Sequence, residues 1–213
     1  MTPPPAGEVH TIGYAFRDHG GVFVGFLLAL GLQNGVSSAQ RSFDTDGLTF
    51  RTSILFVVLV VLCLYTFLVG QFNLSRALKY GPATWLGNFL LYVFQAIALA
   101  FMGSAVSDAG PSSIGFTTYL VAYYLIDAAW AIYTIVAKPT ILKLKPALLL
   151  ASVTLLATLL FVLAALDVWT IETRIGMSVL LAIVAVHVVV AAAFVLDLIR
   201  RDEARSATSG WVS

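Results

Sequence analysis

Charged residues are scarce in this chain. Of its 213 residues only 11% are Asp, Glu, Lys or Arg, whereas soluble domains carry about 25%. Hydrophobic side chains make up 60% of the chain, and its mean hydropathy is +0.94. These values exclude an ordinary soluble domain and predict an integral membrane protein. The formal net charge of +1 leaves no basic surplus for phosphate contacts, so nucleic acid is not an expected partner.

Residue types that bind metals or act as nucleophiles are also scarce. The single cysteine, Cys63, excludes an internal disulfide and any multi-cysteine metal site. Of the three histidines, only His187 lies within a long apolar run. The sequence contains no HExxH, no GxSxG, no glycine-rich phosphate loop and no CxxC. We therefore predict no catalytic residues, no metal site and no cofactor.

Six apolar runs are long enough to cross a bilayer, which needs about 20 residues at 1.5 Å per residue. They cover residues 21–40, 53–72, 83–104, 116–137, 147–166 and 176–198. The loops between them are too short for a further domain. We predict an all-α polytopic membrane protein with six transmembrane helices in one bundle. Residues 1–20 and 200–213 are predicted to be mobile tails on either side of a transmembrane domain at residues 21–199.

Lysine and arginine are unequally divided between the two faces of this arrangement. Nine of the 12 lie on the face that carries both termini, and three lie on the opposite face. Because cytoplasmic loops of membrane proteins are enriched in Lys and Arg, this bias predicts that both termini are cytoplasmic. The expected location is a prokaryotic plasma membrane.

Ionisable and amide side chains inside the predicted spans are the most informative residues. Asp127 lies near the middle of the fourth span, where a carboxylate costs about 2.5–3.5 kcal/mol on the insertion scale. His187 and Gln95 lie near the middle of the sixth and third spans. All three are therefore predicted to lie at a similar depth.

Further polar residues accompany these three. Helical spacing places Tyr123 and Thr134 on the face of Asp127, and Asn88 on the face of Gln95, while the first span adds Gln33 and Asn34. One interpretation is a polar path in which Asp127 and His187 form a proton-linked or cation-attracting pair. The other is that the amides are hydrogen-bonding contacts between helices, worth about 0.6 kcal/mol each.

Three functions are compatible with this pattern. The preferred hypothesis is a transport protein, a channel or transporter that assembles as a homo-oligomer in the lipid bilayer and passes a small cation or small polar solute. The second is a membrane-embedded enzyme that acts on a lipid or isoprenoid with Asp127 and His187 as acid and partner. The third is a non-catalytic subunit of a larger membrane complex.

Two segments resemble a known channel family. Phe16-Arg17-Asp18 precedes Gly21-Val22-Phe23, and the basic link 76–79 leads into Trp85-Leu86-Gly87-Asn88. With six spans in a chain of this length, these segments resemble the prokaryotic branch of the endolysosomal potassium channel family. That resemblance implies a tetrameric cation channel with its pore and an apolar constriction along the first helix.

A second resemblance rests on other residues. Tyr80-Gly81-Pro82-Ala83-Thr84 at the entry to the third span, with Asn34-Gly35 in the first, is similar to the acid-gated urea and short-amide channel family. This resemblance implies a ring-shaped oligomer in which each protomer passes a small neutral solute. The two alternatives stay open at the level of the sequence.

Overall fold

A computed structural model describes residues 6–47, 49–77, 82–107, 115–137, 145–166, 168, 171 and 173–209. These residues form six helices and no strand, which confirms the all-α prediction. The helices are α1 (Ala6–Asp46), α2 (Phe50–Ala77), α3 (Pro82–Ser104), α4 (Phe116–Ala137), α5 (Lys145–Ala165) and α6 (Arg174–Ser209). The first begins well before residue 21 and the last continues beyond residue 198, so both helices are longer than the predicted spans.

Five helices in the described part of the chain are long and apolar enough to cross a membrane. The qualifying segments are Gly20–Thr45, Phe50–Leu74, Thr84–Ser104, Ala147–Ala165 and Arg174–Arg201. They agree with the prediction of a membrane-embedded protein. The helix α4 is not among these segments, which are drawn from the described residues alone.

Local sequence signals set several helix ends. Gly47 has a φ of 75°, and its N–H donates to the Phe43 carbonyl at 3.1 Å. A glycine in this left-handed conformation ends a helix without a Cβ clash. The Thr49 hydroxyl then accepts the Thr52 N–H at 3.1 Å, and the Thr173 hydroxyl accepts the Gly176 N–H at 3.0 Å. Both threonines therefore act as N-caps, of α2 and α6.

The described chain divides into two compact units, residues 1–126 and 127–213. In the first unit, α1 packs against α2 and α3 through one face, which we call the inner stripe. Its members alternate in steps of three and four residues and are all buried: Gly21, Val24, Leu28, Gly31, Gly35, Ser38 and Ser42. Such spacing keeps one face of the helix against its neighbours from Gly21 to Ser42.

Glycines bring the backbones of α1 and α3 into contact. A Cβ built on Gly31 would lie 3.1 Å from the Leu99 carbonyl oxygen, and one on Gly103 would overlap the Gly31 carbonyl oxygen. Hydrogen bonds continue the contact, because the Asn34 amide donates to the Ala100 carbonyl at 3.1 Å. The Ser38 and Ser107 hydroxyls are 3.0 Å apart. Small and polar residues thus hold the two helices together, as is usual where no hydrophobic force acts between helices in lipid.

In the second unit, α5 packs against α6. The buried face of α6 repeats in steps of three and four residues through Met177, Leu180, Val184, His187, Ala191, Phe194 and Leu198. The facing residues of α5 follow the same spacing at Leu150, Thr154, Ala157, Phe161 and Ala164. His187 and Thr154 are the polar members of two otherwise apolar faces.

Candidate functional site

A carboxyl group, an imidazole and a hydroxyl meet in the core of the second unit. Asp127 comes from α4, Thr154 from α5 and His187 from α6. The His187 Nε2 atom lies 3.4 Å from Asp127 Oδ2, and the Thr154 hydroxyl donates to the same oxygen at 3.4 Å. Asp127 is 5% exposed, Thr154 1% and His187 0%. The sequence placed Asp127 and His187 at a similar depth, and the structure brings them into contact.

Thr158 and Val184 lie about one helical turn from Thr154 and His187, and their environments differ from those of the two cluster residues. One turn along α5, the Thr158 hydroxyl donates to the Thr154 carbonyl at 2.8 Å, so Thr158 is satisfied within its own helix. Thr154 donates across to α4 instead. Val184, one turn before His187, is 1% exposed and packs in the same apolar face. On the buried face of α6, His187 therefore lies between the apolar residues Val184 and Ala191.

The chemistry of the cluster follows from its net charge. An isolated charge in an apolar interior is expensive, whereas a pair with no net charge avoids most of that cost. Asp127 and His187 together are neutral when they hold one proton, whether it resides on Oδ2 or on Nε2. Adding a proton makes the site positive, whereas removing one makes it negative, and in the negative state a bound cation restores neutrality. The pair is thus suited to binding a proton or exchanging it for a cation.

The polar residues of the first unit form separate hydrogen bonds. Tyr123 is fully buried, and its hydroxyl lies 2.9 Å from that of Thr66 on α2. The Asn73 amide donates to the Tyr92 hydroxyl at 2.7 Å, and the Tyr92 hydroxyl donates to the Val69 carbonyl at 3.4 Å. These bonds connect α2 to α3 and α4, as hydrogen-bonding contacts between membrane helices do.

The remaining predicted residues have different environments. Asn88 is buried, and its amide donates to the Thr84 carbonyl of its own helix at 2.7 Å. Gln95 is also buried, Asn34 bonds to α3, and Gln33 is exposed on α1. The side chain of Thr134 lies outside the described residues. That all these residues line one polar path stays a prediction.

Sequence reasoning did not single out Thr154, Thr66 or Tyr92. Each is a common residue in an apolar helix, and its role depends on which way the helix is rotated. One available signal was the pair Thr154 and Thr158, which are one turn apart in an otherwise aliphatic helix.

The Thr66–Tyr123 bond has a measurable energy. We expect the double-mutant cycle of Thr66→Val and Tyr123→Phe to give a coupling of about 0.6 kcal/mol, because the bond joins two buried hydroxyls. Unfolding of the purified protein in detergent provides the four free energies. Pairing Thr66→Val with Tyr133→Phe is the control and should be additive. A coupling of zero for Thr66 and Tyr123 would contradict this assignment.

Among the described residues, no three His, Cys, Asp or Glu side chains converge as a metal site would require. No protein-family model, curated protein or solved structure matches this chain. The two channel resemblances therefore rest on their sequence segments alone, and the functional argument rests on the geometry of Asp127 and His187.

Proposed function

We propose that this protein is a membrane transport protein that passes a small cation or small polar solute across the bilayer. Asp127 and His187 are its proton-binding element. In this proposal all six helices span the membrane, including α4, and both termini face the cytoplasm. The excess of Lys and Arg on the terminal face supports that orientation. The expected location is a prokaryotic plasma membrane.

The observation that carries the proposal is the 3.4 Å approach of His187 Nε2 to Asp127 Oδ2 in a buried cluster. Ionisable residues inside membrane helices are costly, and they characteristically mark ion pathways and proton relays. The two side chains belong to different helices, so a movement of either helix changes how the proton is held. This is the requirement for coupling proton binding to transport.

The charge of the site favours a cation as the transported species. The Asp127 carboxylate attracts either a proton or a metal cation, and His187, when protonated, repels the cation. Proton and cation therefore compete for one site. Competition of this kind produces exchange, in which a cation enters as a proton leaves.

An intramembrane enzyme receives less support from the same geometry. A hydroxyl nucleophile needs a base within hydrogen-bond reach to take its proton. The Thr154 hydroxyl donates to the Asp127 carboxylate and so has a base within reach, but Thr154 is only 1% exposed and is closed off from a lipid substrate. The burial of the cluster is therefore what favours proton binding over attack on a substrate.

Cation–proton exchange in liposomes tests the proposal. Purified protein is reconstituted into vesicles that contain a pH-sensitive dye, and NaCl or KCl is added outside in separate trials. We expect the interior to become alkaline in wild-type vesicles, because protons leave as the cation enters. Asp127→Asn should reduce the signal to that of protein-free vesicles, since the amide neither binds a proton nor attracts a cation.

Asp197→Asn is the matched control. Asp197 lies on α6, the helix of His187, but it is partly exposed and pairs locally with Arg201 at 2.8 Å. Its removal should leave exchange unchanged. A well-folded wild-type protein that exchanges neither Na⁺ nor K⁺ would contradict the proposal, as would full exchange by Asp127→Asn.

A further inference from the structure

The face of α1 opposite the inner stripe is exposed along the whole apolar part of the helix. Its residues also alternate in steps of four and three, and we call them the outer stripe: Val22, Phe26, Ala29, Gln33, Val36, Gln40 and Phe43. The most apolar window of α1 is only 28% buried. In a membrane helix this spacing matches the seam by which one helix packs along another.

Two amides distinguish the outer stripe from an ordinary lipid-facing surface. Gln33 lies near the middle of the segment Gly20–Thr45, and Gln40 follows seven residues later on the same face. Within the described part of the chain, the side-chain amides of Gln33 and Gln40 make no hydrogen bond, unlike the side chains of the neighbouring Asn34 and Arg41. An amide that faces hydrocarbon without a partner is costly. Gln33, near mid-membrane, therefore requires a partner that approaches α1 from outside, and Gln40, at the end of the predicted span, lies on the face that this partner would contact.

We propose that the outer stripe is the interface with a second copy of this chain. Two copies inserted with the same orientation are related by a two-fold axis along the membrane normal. That axis brings their α1 helices together in parallel, with each residue opposite its own equivalent. An amide both donates and accepts, so Gln33 bonds with Gln33 of the second copy, and Gln40 likewise.

The sequence of the stripe fits this partner. Polar residues seven positions apart at the same seam position fix the register of parallel helices. The stripe carries no charge, so identical copies do not repel each other there. Ala29 leaves space for close approach one turn before Gln33. The interface does not depend on the transport proposal. Cross-linking and energy transfer test the interface, whereas ion exchange in liposomes tests transport.

Disulfide cross-linking in native membranes tests the contact. The buried native thiol is first removed by Cys63→Ala, and single cysteines are then introduced into the full chain. Oxidation should give a dimer-sized band for Phe26→Cys, Gln33→Cys and Gln40→Cys. The controls are Phe23→Cys, 47% exposed on α1 beside the stripe, and Phe94→Cys, 54% exposed on α3. Both controls should cross-link much less.

Energy transfer between labelled copies at increasing lipid dilution measures the affinity. Gln33→Met preserves the side-chain size but removes the hydrogen bonds, so we expect dimerisation to weaken about threefold, and about eightfold when Gln40→Met is added. Equal cross-linking at positions 33 and 94 would overturn the proposal. Unchanged dimerisation in the double methionine variant would also overturn it, because the amides would then contribute nothing.

Discussion

A valine in place of Gly103 is expected to prevent α1 from packing against α3. A Cβ at this position would overlap the Gly31 carbonyl oxygen and would lie 3.0 Å from the Gly35 nitrogen and 3.1 Å from the Asn34 Cβ. Two of these atoms belong to the backbone, so no flexible side chain can move aside. Overpacking typically costs about 1–3 kcal/mol even where side chains adjust, and total stabilities are only about 5–15 kcal/mol. Size-exclusion chromatography after detergent extraction should show loss of the folded peak.

Alanine substitutions at three glycines measure how much a single Cβ atom lowers the unfolding temperature at each position. Gly103→Ala adds only the clashing Cβ and should still lower the unfolding temperature clearly. Gly25→Ala is the matched control on α1, because its Cβ would meet only a Phe67 ring atom at an ordinary 3.7 Å. Gly115→Ala would meet nothing within 4 Å. Equal unfolding temperatures for the three alanine variants would show that the backbone contact is unimportant.

Replacing His187 with leucine is expected to destabilise the second unit by about 3–5 kcal/mol at alkaline pH, where Asp127 carries no proton and remains as a buried charge without His187. The leucine fills the apolar face of α6, so the loss reflects Asp127 and not a cavity. Adding Asp127→Asn should recover most of the stability, because the amide is uncharged and its oxygen still accepts the Thr154 hydroxyl. Unfolding of the single and double variants in detergent measures the recovery.

An exposed pair provides the contrast. Arg201→Gln removes the partner of Asp197, whose side chain is 30% exposed, and should cost only about 0.3–0.5 kcal/mol because water replaces the partner. If His187→Leu were as mild as Arg201→Gln, the Asp127–His187 pair would not be a buried charge-balanced unit. A double variant that is no more stable than His187→Leu alone would lead to the same conclusion.

Hydropathy alone predicted the helices well, because length and apolar composition determine which segments enter a bilayer. It also predicted the position of α4. It missed the extensions of α1 to Ala6 and of α6 to Ser209, since helices do not end where the hydrocarbon does. Whether α4 spans the membrane and whether both termini are cytoplasmic stay predictions.

The candidate site was predictable in part. The cost of burying Asp127 and His187 singled out both residues from the sequence. Their contact, and the Thr154 bond, depend on the rotation of three helices, which composition does not encode. The amides show the same limit: Asn34 bonds to α3, Asn88 bonds within its own helix, and Gln33 points away from both neighbours.

The seam between α1 and α3 also restricts where anything can permeate. Main-chain atoms of Gly31 and Gly103 touch there, and a gap narrower than a water molecule admits neither a hydrated ion nor a solute. A conduction route therefore cannot follow the glycine side of the first helix. The transport proposal therefore places the route of the permeant along other surfaces of the protein.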